Sequence, residues 1–130
     1  RILTFESAKA RGPWFGRPLD RPLYRSLAAH EIAHALAWCN TSDGPLSVRG
    51  REYVAYAVMF KIMEPRHREA ILAQTPGPGF ESESEISDTF FYLAPSRFGV
   101  DAYRHYLRPE NGSRFLREIM RGAALPLVDD

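Results

Sequence analysis

Cysteine is almost missing from this 130-residue chain: Cys39 stands alone, so neither an internal disulfide nor a cysteine-rich metal site can hold the fold together. An excess of one charge is missing too. The 17 Lys+Arg and 16 Asp+Glu residues nearly cancel, leaving no basic surplus for a phosphate backbone and no acidic surplus for a solvating tail, so nucleic acid is excluded as the expected partner. Lysine is scarce, with only Lys9 and Lys61, and the arginine bias carries no functional weight. Long apolar runs are also absent. Nothing approaches the roughly 18–20 residues that cross a bilayer, so no transmembrane segment is expected, and the residues Arg1-Ile2-Leu3-Thr4-Phe5 are not a signal peptide. The first residue is Arg1 and not Met, and we read the chain as a processed form or fragment of a longer one. If a leader was removed, the protein is bacterial periplasmic or secreted; otherwise it is cytoplasmic. Its oligomeric state has no sequence signal.

What is present is a globular composition, 45% hydrophobic and 25% charged. A domain of this size buries roughly 65–70% of the surface its unfolded chain exposes, enough for a core without covalent staples. Ile2 to Phe5 alternates like a short strand, and Gly12-Pro13-Trp14-Phe15-Gly16 with Pro18 reads as a loop whose aromatics cap the core. Asp20 suits an N-cap and Pro22 a first helical turn. From Leu23 the spacing Leu23, Leu27, Ala28, Ile32, Ala35, Leu36 predicts one buried helix over 21–39. Thr41-Ser42-Asp43-Gly44-Pro45 closes it. A second helix is predicted over 51–63, stopped by Pro65, and a third over 66–73 before the breaker Thr75-Pro76-Gly77-Pro78-Gly79, the expected mobile loop. Acidic residues Glu81 to Glu85 suit a helix start, followed by an apolar stripe of Ile86, Phe90, Phe91 and Leu93. Pro95 and Gly99 punctuate, and helices are predicted over 100–107 and 113–121. Trp14, Trp38 and the phenylalanines are assigned to the core.

Inside the predicted 21–39 helix stands His30-Glu31-Ile32-Ala33-His34. Residues i and i+4 share a helix face, so two imidazoles can converge on one cation while Glu31 sits at the edge of the site. Neutral imidazole suits Zn²⁺, and a carboxylate beside the metal can take a proton from bound water, which makes Glu31 the general-base candidate. The plain alternative is a buried helix whose two histidines bond to backbone. Catalytic zinc wants a third protein ligand. His67 lies between Arg66 and Arg68 in a turn read as exposed, and His105 is far downstream. Glu52 is better placed, 18 residues after His34 at the start of the next helix, beyond a loop long enough to fold that helix back. Flanked by Arg49 and Arg51, Glu52 could instead be ion-paired, with Glu85 or Asp88 as replacement ligand.

His30-Glu31-x-x-His34 followed by Glu52 resembles the gluzincin group of zincin metallopeptidases, over about residues 27–56. The resemblance implies a single zincin-like domain over residues 1–130, α+β but predominantly α, with a zincin-like helical core and a short N-terminal strand. It implies Zn²⁺ held by His30, His34 and Glu52, Glu31 as base, and a peptide or protein substrate laid along a sheet edge. Members often carry an acidic residue four positions after the ligand glutamate to orient a zinc histidine. Tyr56 stands there, able to accept from an imidazole N–H, and Asp88 is another candidate orienter. An oxyanion-holding group is also expected, drawn from Tyr92, Tyr103, His105 and Tyr106, with His105 and Tyr103 preferred. The competing expectations are a non-catalytic zinc-stabilised helical binding module and a helical scaffold with no metal.

Overall fold

A computed structural model describes residues 2–41 and 44–127. Among the described residues seven α-helices follow in order: α1 (Phe5–Ala10), α2 (Arg21–Cys39), α3 (Val48–Ile62), α4 (Pro65–Gln74), α5 (Asp88–Leu93), α6 (Pro95–Leu107) and α7 (Gly112–Met120). A single 3-10 turn, Glu83–Glu85, precedes α5. Among the described residues there is no strand, which corrects the expected α+β class to all-α. The predicted strand at Ile2–Phe5 fails for a local reason. The Thr4 hydroxyl accepts from the Ser7 N–H at 3.1 Å and caps α1, so Phe5 enters a helix. There the Phe5 ring sits under the Arg21 guanidinium, 4.4 Å from its centroid, and edge-on to Tyr24. Extended pairing is confined to an isolated bridge between Trp14 and Arg17, across a turn in which Phe15 (φ 53°) and Gly16 (φ 70°) both take left-handed backbone.

α2 has the bounds its sequence predicts because its start is locally encoded. Asp20 accepts from the Leu23 N–H at 2.9 Å, and Pro22 costs nothing in the first turn. In the loop that closes it, Ser42 and Asp43 lie outside the described residues. α3 begins three residues earlier than expected, since Ser47 caps it by accepting from the Gly50 N–H at 2.9 Å.

α3 is the centre of the molecule. It packs most extensively against α2 on one side and α6 on another, with α5 and α7 completing the enclosure. Tyr53, Ala55, Met59 and Phe60 are fully buried, as expected of a helix apolar on nearly every face. α6 meets it through Phe98, whose ring lies 6.3 Å from that of Tyr56, and through Tyr103, on which Phe60 stacks at 5.3 Å.

Several expectations are corrected here. Pro95 opens α6 at its first turn, where its missing N–H is harmless, and α6 runs on through Gly99. The loop at 75–79 is held against α6: Arg104 donates to the carbonyls of Thr75 and Leu72, Arg97 to that of Pro76, and Arg108 to that of Pro78. Within Glu81 to Glu85 only the 3-10 turn Glu83–Glu85 forms, capped by Ser82, instead of a helix start, and Leu93 is exposed. Trp38 is 73% exposed, not core. His67, expected to be exposed, is buried at 1%.

Candidate metal centre

His30 and His34 stand one turn apart on α2, and Glu52 faces them from the first turns of α3. The antiparallel return of α3 along α2 brings the three side chains together. His30 Nε2 lies 3.3 Å from Glu52 Oε1, His34 Nε2 lies 3.1 Å from Glu52 Oε2, and the two Nε2 atoms are 3.2 Å apart. With ligand bonds of about 2.0–2.1 Å, donors on one face of a tetrahedral zinc shell are about 3.3 Å apart. Each contact has about that length, with the two imidazoles approaching different oxygens of the Glu52 carboxylate. Among the described residues this is the group whose His and carboxylate donors converge, and it can hold a divalent metal ion.

Burial and charge agree with that role. The side chains of His30 and Glu52 are 8% and 11% exposed, whereas that of His34 is 23% exposed, so the cluster opens on the His34 side. Burial pushes the Glu52 carboxyl up, but hydrogen bonds from His30 and His34, and then their charge, outweigh it and hold the group at about 2. Glu52 is therefore a carboxylate throughout the neutral range. The alternative of an arginine pair is not realised. The Arg49 N–H donates to Asp88 at 2.8 Å and its guanidinium to the carbonyls of Ile86 and Pro126, while Glu85 accepts from the backbone of Glu81. Asp88 and Glu85 are thereby committed away from the cluster.

Glu31 is half-buried and makes no hydrogen bond or ion pair among the described residues. It lines a cleft of about 670 Å³ with Leu3, Arg11, Trp14, Tyr24 and Leu27. Burial raises the Tyr56 hydroxyl pKa, followed by the charges of Glu52 and Glu31, which places this phenol near both carboxylates. Its ring packs on His30 at 4.4 Å. His30 Nδ1 is buried without a hydrogen-bond partner, so Tyr56 does not accept from it.

His105 and Tyr103 lie elsewhere in the packing. His105 Nδ1 is 2.5 Å from the Tyr53 hydroxyl, and its ring meets Phe115 at 4.7 Å. Tyr103 lies between Phe60 and Tyr106. Neither shares a hydrogen bond or ring contact with His30, His34 or Glu52 among the described residues. Sequence reasoning missed the close approach of Gly99 to Tyr56, although a glycine inside a helical pattern is itself a packing signal.

Fold and site together define an all-α protein with a candidate divalent-metal centre between two helices. Residues 1–128 match a family described as a family of unknown function, DUF6639, and the chain belongs to that family. No curated protein and no solved structure matches it. The gluzincin resemblance is overturned: the His-Glu-x-x-His spacing stands in the sequence, but the described residues hold no strand and the fold is not zincin-like. No helix among them is long and apolar enough to cross a membrane.

Proposed function

We propose that the chain is a zinc-binding helical domain whose metal serves hydrolysis of a carbonyl substrate, a peptide bond in a peptide or protein. The observation that carries the metal is the convergence of two Nε2 atoms 3.2 Å apart, each 3.1–3.3 Å from one oxygen of the Glu52 carboxylate. Two imidazole nitrogens and one carboxylate are a donor set suited to zinc. The hydrolytic use is supported by a count. Three protein ligands with one position free is the composition of catalytic zinc sites, whereas structural zinc is closed by four, and no fourth His, Cys, Asp or Glu joins the cluster among the described residues.

When bound, zinc would polarise a carbonyl and lower the pKa of a water at its free position. His30, His34 and Glu52 would hold the ion. Glu31, uncommitted to any other group, is the carboxylate that would accept a proton from water and return it to the leaving amine. Glu31 also lines a cleft with apolar walls that would take a substrate chain, although His30, His34 and Glu52 are not part of its lining. Glu31→Gln tests this directly. It keeps zinc binding within a few-fold and lowers peptide hydrolysis at least about 100-fold; loss of the metal, or an unchanged rate, overturns the role of Glu31.

A second reading has its own support: the metal as a staple for a binding module. The cluster joins α2 to α3, the most extensively packed pair, and α2 also presents Ile32, Leu36 and Trp38 at 47%, 60% and 73% exposure. On this reading Glu31→Gln changes nothing, and zinc removal by a chelator lowers the melting temperature sharply without any activity to lose.

A further inference from the structure

A metal-binding histidine is normally fixed by donating its second ring N–H to a carboxylate, a carbonyl or water. His30 has no such acceptor. Its Nδ1 is buried and unpartnered, yet Nε2 sits 3.3 Å from Glu52 Oε1 and 3.2 Å from His34 Nε2. Something other than a hydrogen bond holds the ring in that plane.

The contacts identify it. Tyr56 lies one turn beyond Glu52 on α3, and helical side chains lean back toward the N-terminus, so its ring covers the face from which Glu52 projects. It packs on the His30 imidazole with centroids 4.4 Å apart and planes at 64°, while His34 meets the same imidazole edge-on at 4.8 Å. Behind Tyr56 stands the backbone of α6. A Cβ placed on Gly99 would lie 2.6, 2.8 and 2.9 Å from three atoms of the Tyr56 ring, closer than side-chain carbons approach one another. Gly99 sits mid-helix with ordinary helical backbone, where glycine costs about 0.5–1 kcal/mol relative to alanine. Backbone conformation does not call for glycine there; the ring of Tyr56 does.

We propose that Gly99 and Tyr56 form a buttress that positions His30 for metal binding: α6 presses the Tyr56 ring against the imidazole and sets its plane, in the role an outer hydrogen bond usually fills. Ring packing leaves a half-turn of the imidazole undecided, and Glu52 and His34 decide it by taking Nε2 on their side. Tyr56 is thus a positioning residue that acts through its ring. The inference rests on the metal-binding reading and not on hydrolysis.

The test is Zn²⁺ affinity, measured by competition with a chromophoric chelator, alongside the melting temperature of the metal-free protein. Tyr56→Phe keeps the ring and binds Zn²⁺ within about 3-fold of the unmodified chain. Tyr56→Leu removes the ring and weakens binding about 10–100-fold, the range seen when an outer partner of a metal ligand is lost. Gly99→Ala changes neither a ligand nor Tyr56 itself but displaces the Tyr56 ring, and weakens binding in the same direction, although alanine favours the helix; this variant decides the matter if Tyr56→Leu does not fold. Unchanged affinity in both Tyr56→Leu and Gly99→Ala overturns the buttress, as does a loss in Tyr56→Phe equal to that in Tyr56→Leu, which would make the hydroxyl the operative group. Failure of the unmodified protein to bind Zn²⁺ strikes instead at the metal-binding reading and is distinguishable from both.

Discussion

Two buried histidine clusters touch α2, and they differ in what their ring nitrogens have left to give. At the start of α2, His67 of α4 is 1% exposed and both of its nitrogens are committed. Arg17 Nε donates to Nδ1 at 2.8 Å, which requires the lone pair there, so Nε2 carries the proton and donates to Asp20 at 2.9 Å. Asp20 also accepts from the Leu23 N–H and from Arg66. That network is closed and leaves no donor atom for a cation. About two and a half turns further on, His30 and His34 aim two Nε2 atoms at one carboxylate and at each other, with no arginine to satisfy them. A histidine beside an acid is thus not in itself a metal ligand. Convergence without competing donors marks the second cluster.

The comparison can be broken most decisively at the ligands. His34→Ala should weaken Zn²⁺ binding more than about 100-fold by removing one of three ligands, whereas His67→Ala should leave the affinity unchanged within about 3-fold. Chelator competition on both variants measures this, and equal losses would erase the distinction. Stability should divide the other way. His67→Ala leaves Asp20 and Arg17 facing an emptied buried site, and about 2–4 kcal/mol of unfolding free energy should be lost in urea titration; a change under about 0.5 kcal/mol would mean that the network contributes little.

The smallest effect is a pH dependence at a third buried histidine. Burial, and then the charge of Arg108, lowers the pKa of His105. The unfolded chain therefore takes up a proton near pH 6.5 that the folded chain refuses. Stability is full above that pH and falls as pH drops below it toward the folded value. Urea midpoints of the metal-free protein across pH 5–8 should show this slope, and His105→Gln should flatten it. An unchanged slope would assign it to another group.

What could be read from the sequence was whatever depends on neighbours within a turn or two. The bounds of α2 follow from Asp20 and Pro22, and the convergence of His30 with His34 from the four-residue period of a helix. Glu52 was within reach because a loop of about eight residues returns α3 along α2. What was not legible depends on partners distant in the chain. His67 looks exposed between two arginines, yet each residue turns by about 100° on a helix, so Arg68 turns to the carbonyls of Phe60 and Met63 and exposed Arg66 reaches Asp20 from outside, while His67 turns inward to Arg17 and Asp20. Gly99 reads as a break until Tyr56 is seen against it. The alternation of Ile2 to Phe5 suggested a strand because a threonine cap and a strand residue look alike in so short a segment. That misreading also lent support to a zincin fold which the helices do not form.

The central claim is that His30, His34 and Glu52 hold a metal with one position free. Zinc K-edge absorption spectroscopy on the protein purified with stoichiometric Zn²⁺ tests it most directly. The account predicts two imidazole nitrogens, oxygen from one carboxylate and one further light atom not supplied by the protein, with the signal lost in His34→Ala. A protein that takes up no zinc, or a shell closed by a fourth side chain, would contradict it.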